Sequence, residues 1–357
     1  MPEQKSITMT LPGKQHRVVS KVIKQWRQNG IVDEQTATRL AGSIAVATFD
    51  WQRTARYAFI VAVFCLLIAL STAITSYLKD FFMSAPGMSG SIFVALAALI
   101  FNYGLMLRQR YPHRFYSNEA VFFLGVLALA TSLFFFGVAF DNGSGHYSVL
   151  FLIAAICYGL LGVCLPSKLI WVFALLSLGS WMGAETGYRS GYGSYFLGMN
   201  YPLRFVFFGM VLAAAGIFSQ QNSAVASASG FQQRLLSMSP QTKVIGLLYL
   251  FIALWILSIF GNYSELDQWQ KIRQYELFHW SVLFAVVAIA AIWYGLRHDD
   301  AVLRGFGLTF LLINLYTRYF EYFWDAIPET VFFTVLALTL WAVGRKAETL
   351  WHLGQRG

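Results

Sequence analysis

Charge is what this sequence is short of. Asp, Glu, Lys and Arg make up 12% of its 357 residues, while 57% are hydrophobic. An ordinary soluble domain carries about 25% charged residues. The deficit excludes a conventional water-facing surface over most of the chain. Cysteine is also scarce. Cys65, Cys157 and Cys164 all lie in apolar runs without a CxxC pair, so they read as small packing residues rather than a redox or metal centre. Several catalytic signatures are missing. There is no HExxH, no GxSxG, no Walker A loop and no glycine-rich dinucleotide turn. Their absence weighs against the common hydrolase and nucleotide-binding readings and leaves membrane enzymes open. No apolar stretch lies near Met1, so the first apolar run is expected to serve as both insertion signal and first span.

What is present is a series of long apolar runs. Ten candidate spans fall near 57–78, 90–107, 119–140, 147–165, 168–185, 201–219, 243–261, 278–296, 302–322 and 328–344. Most reach the roughly 17–25 residues that cross a hydrocarbon layer. The fifth is the weakest, being short, bounded by Pro166 and carrying Glu185 at its end. The expected fold class is therefore all-α: a polytopic transmembrane helical bundle of about ten spans with a small N-terminal helical hairpin. Residues 1–55 form the cytosolic hairpin and a preceding tail read as disordered. Residues 56–346 form the membrane domain, and 347–357 a cytosolic tail.

The net charge of +9 does not indicate nucleic acid, because the basic residues are scattered over many loops rather than gathered in one stripe. Anionic lipid headgroups explain it more simply. With the N-terminus in the cytoplasm, twenty Lys/Arg fall on the cytoplasmic side and five outside, Arg318 lying within a span. That bias places both termini inside. The hairpin reads as Arg17–Asn29, a turn at Asn29-Gly30, and a second helix capped by Asp33 and striped by Ala37, Leu40, Ala41 and Ile44. No internal repeat is evident. Gly179 with Gly183, and Gly305 with Gly307, are candidate helix–helix contacts.

Polar groups within the apolar runs are the candidate functional residues, because lipid makes them costly. Asn314 and Arg318 share a helix face that continues through Glu321 and Tyr322 towards Asp325. Arg204 and Glu185 stand at similar depth on the external side. An outward pocket offering Arg318 and Arg204 would suit a carboxylate or phosphate. The competing reading is structural, with Arg318 pairing to Glu321 or Glu185 and Arg204 snorkelling to headgroups. His279 and Glu276 form a candidate proton-linked pair. Asn102 reads as a helix–helix hydrogen bond, and His298-Asp299-Asp300 as a solvated turn before a metal site. No cofactor and no metal site is expected.

Two stretches carry a family resemblance. One is Val22-Ile23-Lys24-Gln25-Trp26-Arg27-Gln28-Asn29-Gly30-Ile31-Val32-Asp33-Glu34-Gln35. The other runs from Arg318-Tyr319-Phe320 through Trp324-Asp325 to Val331-Phe332-Phe333 and Gly344. Together they resemble the DUF2157-type family of bacterial predicted multi-pass membrane proteins of unknown function. The resemblance implies two short helices before the first span and a place in the bacterial inner membrane, and carries no activity to transfer. Three functions stand at this level. One is a transporter or binder of a small, anionic solute at the outer polar cluster. Another is a scaffold or regulatory protein whose N-terminal hairpin engages a cytosolic protein partner. The third is a membrane enzyme acting on lipid or envelope precursors. Membrane lipids are partners in all three.

Overall fold

The computed structural model describes residues 9–47, 51–73, 79–141, 143, 145–223, 230–263, 266–324 and 326–353. It divides into two compact units, Met1–Phe82 and Met83–Gly357. The first apolar helix therefore belongs with the N-terminal unit, whereas the sequence reading put a boundary at 55.

In the first unit, strand β1 (Met9–Pro12) pairs in parallel with β2 (Ile44–Ala47), Met9 opposite Ile44. Parallel strands need a crossover, and helices α1 (Gly13–Gln28) and α2 (Glu34–Gly42) supply it. Residues 9–15, expected to be disordered, are thus a strand and the first turn of α1. Short apolar segments such as Met9–Pro12 and Ile44–Ala47 are too brief for periodicity to register. Gly30, at φ 66°, ends α1. Its amide bonds the Arg27 carbonyl and that of Ile31 the Trp26 carbonyl, a Schellman cap. Asp33 caps α2 by accepting from the Thr36 amide. Ile23 and Ala37 are the buried contacts of these helices. Helix α3 (Trp51–Ala73) follows, and α4 (Lys79–Ser84) crosses the unit boundary.

The second unit is built from helical hairpins. Helices α5 (Pro86–Arg110) and α6 (Phe115–Ala139) form the first; α7 (Ser148–Cys164) and α8 (Lys168–Arg189) the second. The third pairs α9 (Tyr201–Ser223) with α11 (Ser239–Phe260), joined through short α10 (Gly230–Ser237). After short α12 (Leu266–Trp269), α13 (Phe278–Arg297) and α14 (Ala301–Phe323) make the fourth, and α15 (Glu329–Leu353) closes the chain. The turns 111–114, 165–167 and 298–300, together with short α10, gather at one end, the turn end, and the connections 190–200 and 261–277 at the other, the loop end. At the turn end Arg108 of α5 donates to the carbonyls of Leu165 and Pro166, 2.8 and 3.1 Å away, and Ser167 donates to Glu119 of α6 at 2.7 Å. Lys243 of α11 likewise reaches Asp300 in the turn before α14. In each half of the unit the first hairpin thus grips the turn of the second, an architectural repetition that leaves no mark in the sequence.

Two cores follow from this arrangement. Phe101, Phe122, Tyr158 and Ile170 centre one, among α5 to α8. Phe251, Phe284 and Phe310 centre the other, among α9, α11, α13 and α14, with the Phe251 and Phe310 rings stacked at 5.0 Å. A smaller seam of Leu175, Leu212 and Ile245 joins them. The closest crossing is that of α9 with α11. A methyl group at Gly209, Gly216 or Gly246 would overlap backbone atoms of Leu250, Lys243 or Ala213, so these positions admit glycine alone. Of the glycine pairs singled out in the sequence, Gly179 lies against the Tyr249 hydroxyl and Gly307 against the Ala288 carbonyl. Gly305 faces open space.

Each of the ten apolar runs coincides with one helix, residues 74–78 of the first run lying outside the described residues. Among the described residues six of these helices are long and apolar enough to cross a membrane, the doubtful fifth run (α8) included. Helix α7, with 17 residues, and the stretches Tyr57–Leu66 and Glu329–Trp341 are shorter. Helix α14 has the length, but its mean hydropathy is lowered by a polar stripe. The inner part of that stripe is buried: Asn314 and Arg318 face inward, while Glu321 is half-buried and Tyr322, like Leu315, is exposed. Helix α15 continues to Leu353, through much of the expected tail.

Candidate functional site

The loop end gathers most of the polar residues that the sequence singled out, and distributes them over separate knots. The first centres on Glu185, near the end of α8. Its carboxylate meets His146 Nε2 at 2.8 Å, the Ser148 hydroxyl at 2.6 Å and Arg189 Nε at 2.6 Å. The His146 ring stacks on Tyr188 at 4.0 Å. Glu185 therefore ties the start of α7 to the end of α8.

One residue further along α8, Thr186 belongs to the second knot. Its hydroxyl accepts from Arg204 Nη1 at 3.2 Å. Arg204 also donates through Nε to the Met199 carbonyl (2.9 Å) and through Nη2 to the Ser194 carbonyl (3.0 Å). The guanidinium is buried and lies over the Tyr201 ring, 4.5 Å from its centre. All three of its nitrogens are engaged, two of them with the 190–200 connection and the third with α8. That connection needs the clamp, because Tyr192 and Leu197 hold left-handed conformations at φ 59° and 52°, which side chains adopt reluctantly. It is fastened further by Asn200, which donates to the Gly261 carbonyl at 2.8 Å, and by Asn262, which donates to that of Gly198 at 2.9 Å.

The third knot is on α14. Arg318 and Glu321 stand one turn apart. Nη2 of Arg318 donates to Glu321 Oε1 at 2.8 Å and to the Ser258 carbonyl of α11 at 2.9 Å, while Nη1 pairs with Glu321 Oε2. A turn deeper, Asn314 exchanges two hydrogen bonds with Ser281 of α13, at 2.8 and 2.9 Å. Arg318 and Asn314 thus bind α14 to α11 and α13. Two donors in this region are buried without a hydrogen-bond partner among the described residues: Nε of Arg318 and the hydroxyl of Tyr316. Buried polar groups are normally satisfied; Asn118 Oδ1, Ser132 Oγ and Gln241 Oε1 share this condition elsewhere in the unit, away from the α14 cluster.

Tyr316 and Glu321 line a groove of about 680 Å³ between α11, α14 and α15, completed by Thr309, Ile313, Phe320 and Leu340. Helix α15 meets the end of α14 at Phe332, whose carbonyl accepts from the Tyr319 hydroxyl at 2.9 Å and whose ring stacks on Tyr319 at 4.7 Å. Two other grooves, of about 400 and 420 Å³, are lined almost wholly by apolar side chains of α8, α9 and α11 and of α6 to α8. The α14 groove combines the larger volume with a carboxylate and several hydroxyls.

Other sequence candidates fall elsewhere. Asp325 lies outside the described residues. His279 Nδ1 meets the backbone carbonyl of Glu276 at 2.8 Å, so the structure joins that pair through the main chain. Asn102 is exposed on α5 rather than bonded in a helix–helix seam, because Phe101 and Gly104 occupy the side facing α6. In the turn before α14, His298 stacks on Tyr294 at 4.0 Å, Asp299 pairs with Arg304 at 3.2 Å and Asp300 caps the helix. Among the described residues no group of three or more His, Cys, Asp or Glu could hold a metal ion.

Sequence reasoning missed Lys243 and Asp300, a pair 2.5 Å apart with the lysine buried. They are 57 residues apart, and Lys243 looked like a boundary charge. It also passed over His146. The signal available for Lys243 was its place one helical turn from Gly246, in a stretch apolar enough to be packed. Comparison with family models, curated proteins and solved structures finds no match for the chain.

Proposed function

We propose that the chain is a multi-pass protein of the bacterial inner membrane that binds or carries a small amphipathic solute beside Arg318 and Glu321. In this reading the ten apolar helices all span, the turn end is cytoplasmic and both termini lie inside. The distribution of cations supports that orientation. Arg108, Arg110, Arg114, Lys168, Arg234, Lys243, Arg297 and Arg304 lie at or next to the turn end, against Arg189, Arg204, Lys271 and Arg273 at the loop end, as the positive-inside rule requires. The polar face of α14 supports its inclusion as a span, since its costly groups are turned onto α11 and α13 and away from lipid. The resemblance to the DUF2157-type family belongs to the same reading and adds location rather than activity.

One observation carries the site: the Tyr316 hydroxyl is buried on the wall of the α14 groove with no hydrogen-bond partner among the described residues. A ligand acceptor would satisfy it. Arg318, paired with the groove-lining Glu321 but itself outside the lining, keeps a second unused donor in Nε. Two idle donors and an otherwise apolar groove suit a carboxylate or phosphate head on an apolar body. Arg204, which the sequence offered to the same anion, has its donors committed to Met199, Thr186 and Ser194 and serves here as the clamp of the outer loop.

The test uses the full chain in lipid nanodiscs. Thermal unfolding is followed with added alkyl phosphates, alkyl carboxylates and uncharged alkyl alcohols of equal length. The anionic series is expected to raise the midpoint, and Tyr316→Phe to remove most of the rise. Equal shifts from the alcohols, or none from any compound, would contradict the reading. A scaffold engaging a protein through the N-terminal helices is the second reading, supported by the exposed Val18, Trp26 and Ile31 of that unit.

A further inference from the structure

The N-terminal unit leaves apolar side chains uncovered on one side. Val18 is 61% exposed, Trp26 44% and Ile31 66%. They are not scattered. Val18, Val22 and Trp26 stand at i, i+4 and i+8, one row along α1. The Schellman cap then places Ile31 next to the last turn of that row, its amide bonded to the Trp26 carbonyl at 2.9 Å. Ile23, on the neighbouring row, is buried with Ala37 of α2. The apolar arc of α1 is therefore wider than α2 can cover, and its outer edge is left open.

The opposite arc is basic. Helix α1 carries Lys14, Arg17, Lys21, Lys24 and Arg27 and no Asp or Glu. Lys21 and Lys24 are exposed, and Arg27 reaches Glu34 at 3.4 Å. A helix with an apolar edge ending in Trp and a lysine-rich flank has the composition of one that lies in a membrane interface. The tether strengthens the case. Three residues, 48–50, separate β2 from α3, which leads into the apolar stretch Tyr57–Leu66. A module held this close to a span meets a lipid surface at high effective concentration.

We infer that the exposed edge of α1, with Val18, Trp26 and Ile31, docks on an anionic lipid surface, held by Lys21 and Lys24 and their basic neighbours. The lipid headgroups supply the countercharge and the upper acyl chains take the apolar edge. This needs only that α3 enters the bilayer, and it stands whether or not the α14 groove binds a solute. The module becomes an element that reads the charge of the leaflet beside it, with strong salt dependence.

The full chain tests it, with Cys65, Cys157 and Cys164 replaced by Ala and a nitroxide attached to Ile31→Cys. The protein is reconstituted in phosphatidylcholine vesicles with and without phosphatidylglycerol. Collisions of the label with oxygen and with a water-soluble nickel chelate report immersion. A label at Gln35→Cys, on an exposed polar position, serves as control. Phosphatidylglycerol is expected to raise the oxygen-to-nickel ratio at position 31 several-fold and leave position 35 unchanged. High salt, or Lys21→Glu with Lys24→Glu, is expected to reverse the rise. Equal nickel access in both vesicle types would overturn the inference. So would shielding from both reagents regardless of lipid, which would mean the edge packs on protein instead.

Discussion

Nζ of Lys243 lies 2.5 Å from Oδ2 of Asp300, with the lysine buried at the start of α11 and the aspartate capping α14. At the other end of the same two helices, Arg318 of α14 donates to the Ser258 carbonyl of α11. Two charged contacts therefore pin α11 to α14 near both ends. Removing Asp300 would strand the lysine ammonium in a packed setting. Breaking a buried pair costs about 3–5 kcal/mol, and the partial exposure of Asp300 argues for the lower end, about 3 kcal/mol. Asp300→Asn is expected to lower the unfolding midpoint of the purified protein clearly. Adding Lys243→Met in the same chain should recover part of the loss, a coupling that a double-mutant cycle measures.

The same pair predicts an acid sensitivity. Burial pushes the Asp300 carboxyl up, but Lys243 and the amides of Leu303 and Val302 outweigh it, holding the group below its ordinary value of 3.8. A carboxyl with a lowered folded pKa contributes stability above the unfolded value and loses it as pH falls through the folded one. Stability should therefore decline in acid below about pH 4. Asp300→Asn should show a flatter decline over that range. An identical acid profile for both proteins would contradict the assignment.

Packing predicts a second contrast. Gly209 and Gly246 sit where α9 and α11 touch backbone to backbone, whereas Gly305 faces open space. Gly246→Leu forces the helices apart and should cost about 3 kcal/mol or more, seen as lost monodispersity in size-exclusion chromatography. Gly305→Ala should be neutral or slightly stabilising, since alanine is the better helix former.

Arg204 predicts a local effect. Arg204→Lys keeps the charge but loses the fork that reaches Met199, Thr186 and Ser194 together. Hydrogen bonds to charged groups contribute about 1.5–3 kcal/mol each, so the 190–200 connection should loosen while the helices stay intact. Hydrogen exchange should quicken at residues 190–200 and remain unchanged at α13. Global loss of protection would mean that Arg204 supports more than this loop.

How much of this was legible in the sequence follows from the length of the signals. Ten long apolar runs map onto ten helices because each spans several turns. The polar stripe of α14 was visible because Asn314, Arg318 and Glu321 recur at helical spacing. The partners were not visible. Ser258 and Ser281 lie 60 and 33 residues before the groups they meet, and a serine in an apolar run carries no mark of what it faces. The sequence grouped Arg204 with Arg318 by depth alone, and the structure gives each its own set of partners. Gly209, Gly216 and Gly246 escaped for a similar reason, since the contact joins two helices and the spacing on either is unremarkable. Tyr316, off the Asn314–Arg318 face, carried no signal of its own. Its idle hydroxyl becomes evident only once α15 is seen to form the far wall of the groove.

The central claim is that the α14 groove opens to the outer face and admits a solute. Thiol accessibility tests it most directly. Single cysteines at Ile313 and Tyr316 line the groove, and one at Leu315 faces outward from α14, in a chain whose native cysteines are replaced. Intact cells are treated with a membrane-impermeant thiol reagent, with and without an alkyl phosphate. The account predicts labelling at 316 and 313, protection by the alkyl phosphate at 313, where the Tyr316 hydroxyl is retained, and little reaction at 315. Silence at 316 and 313 from the outside, with folding intact, would contradict it and leave Arg318 and Glu321 as a sealed structural pair.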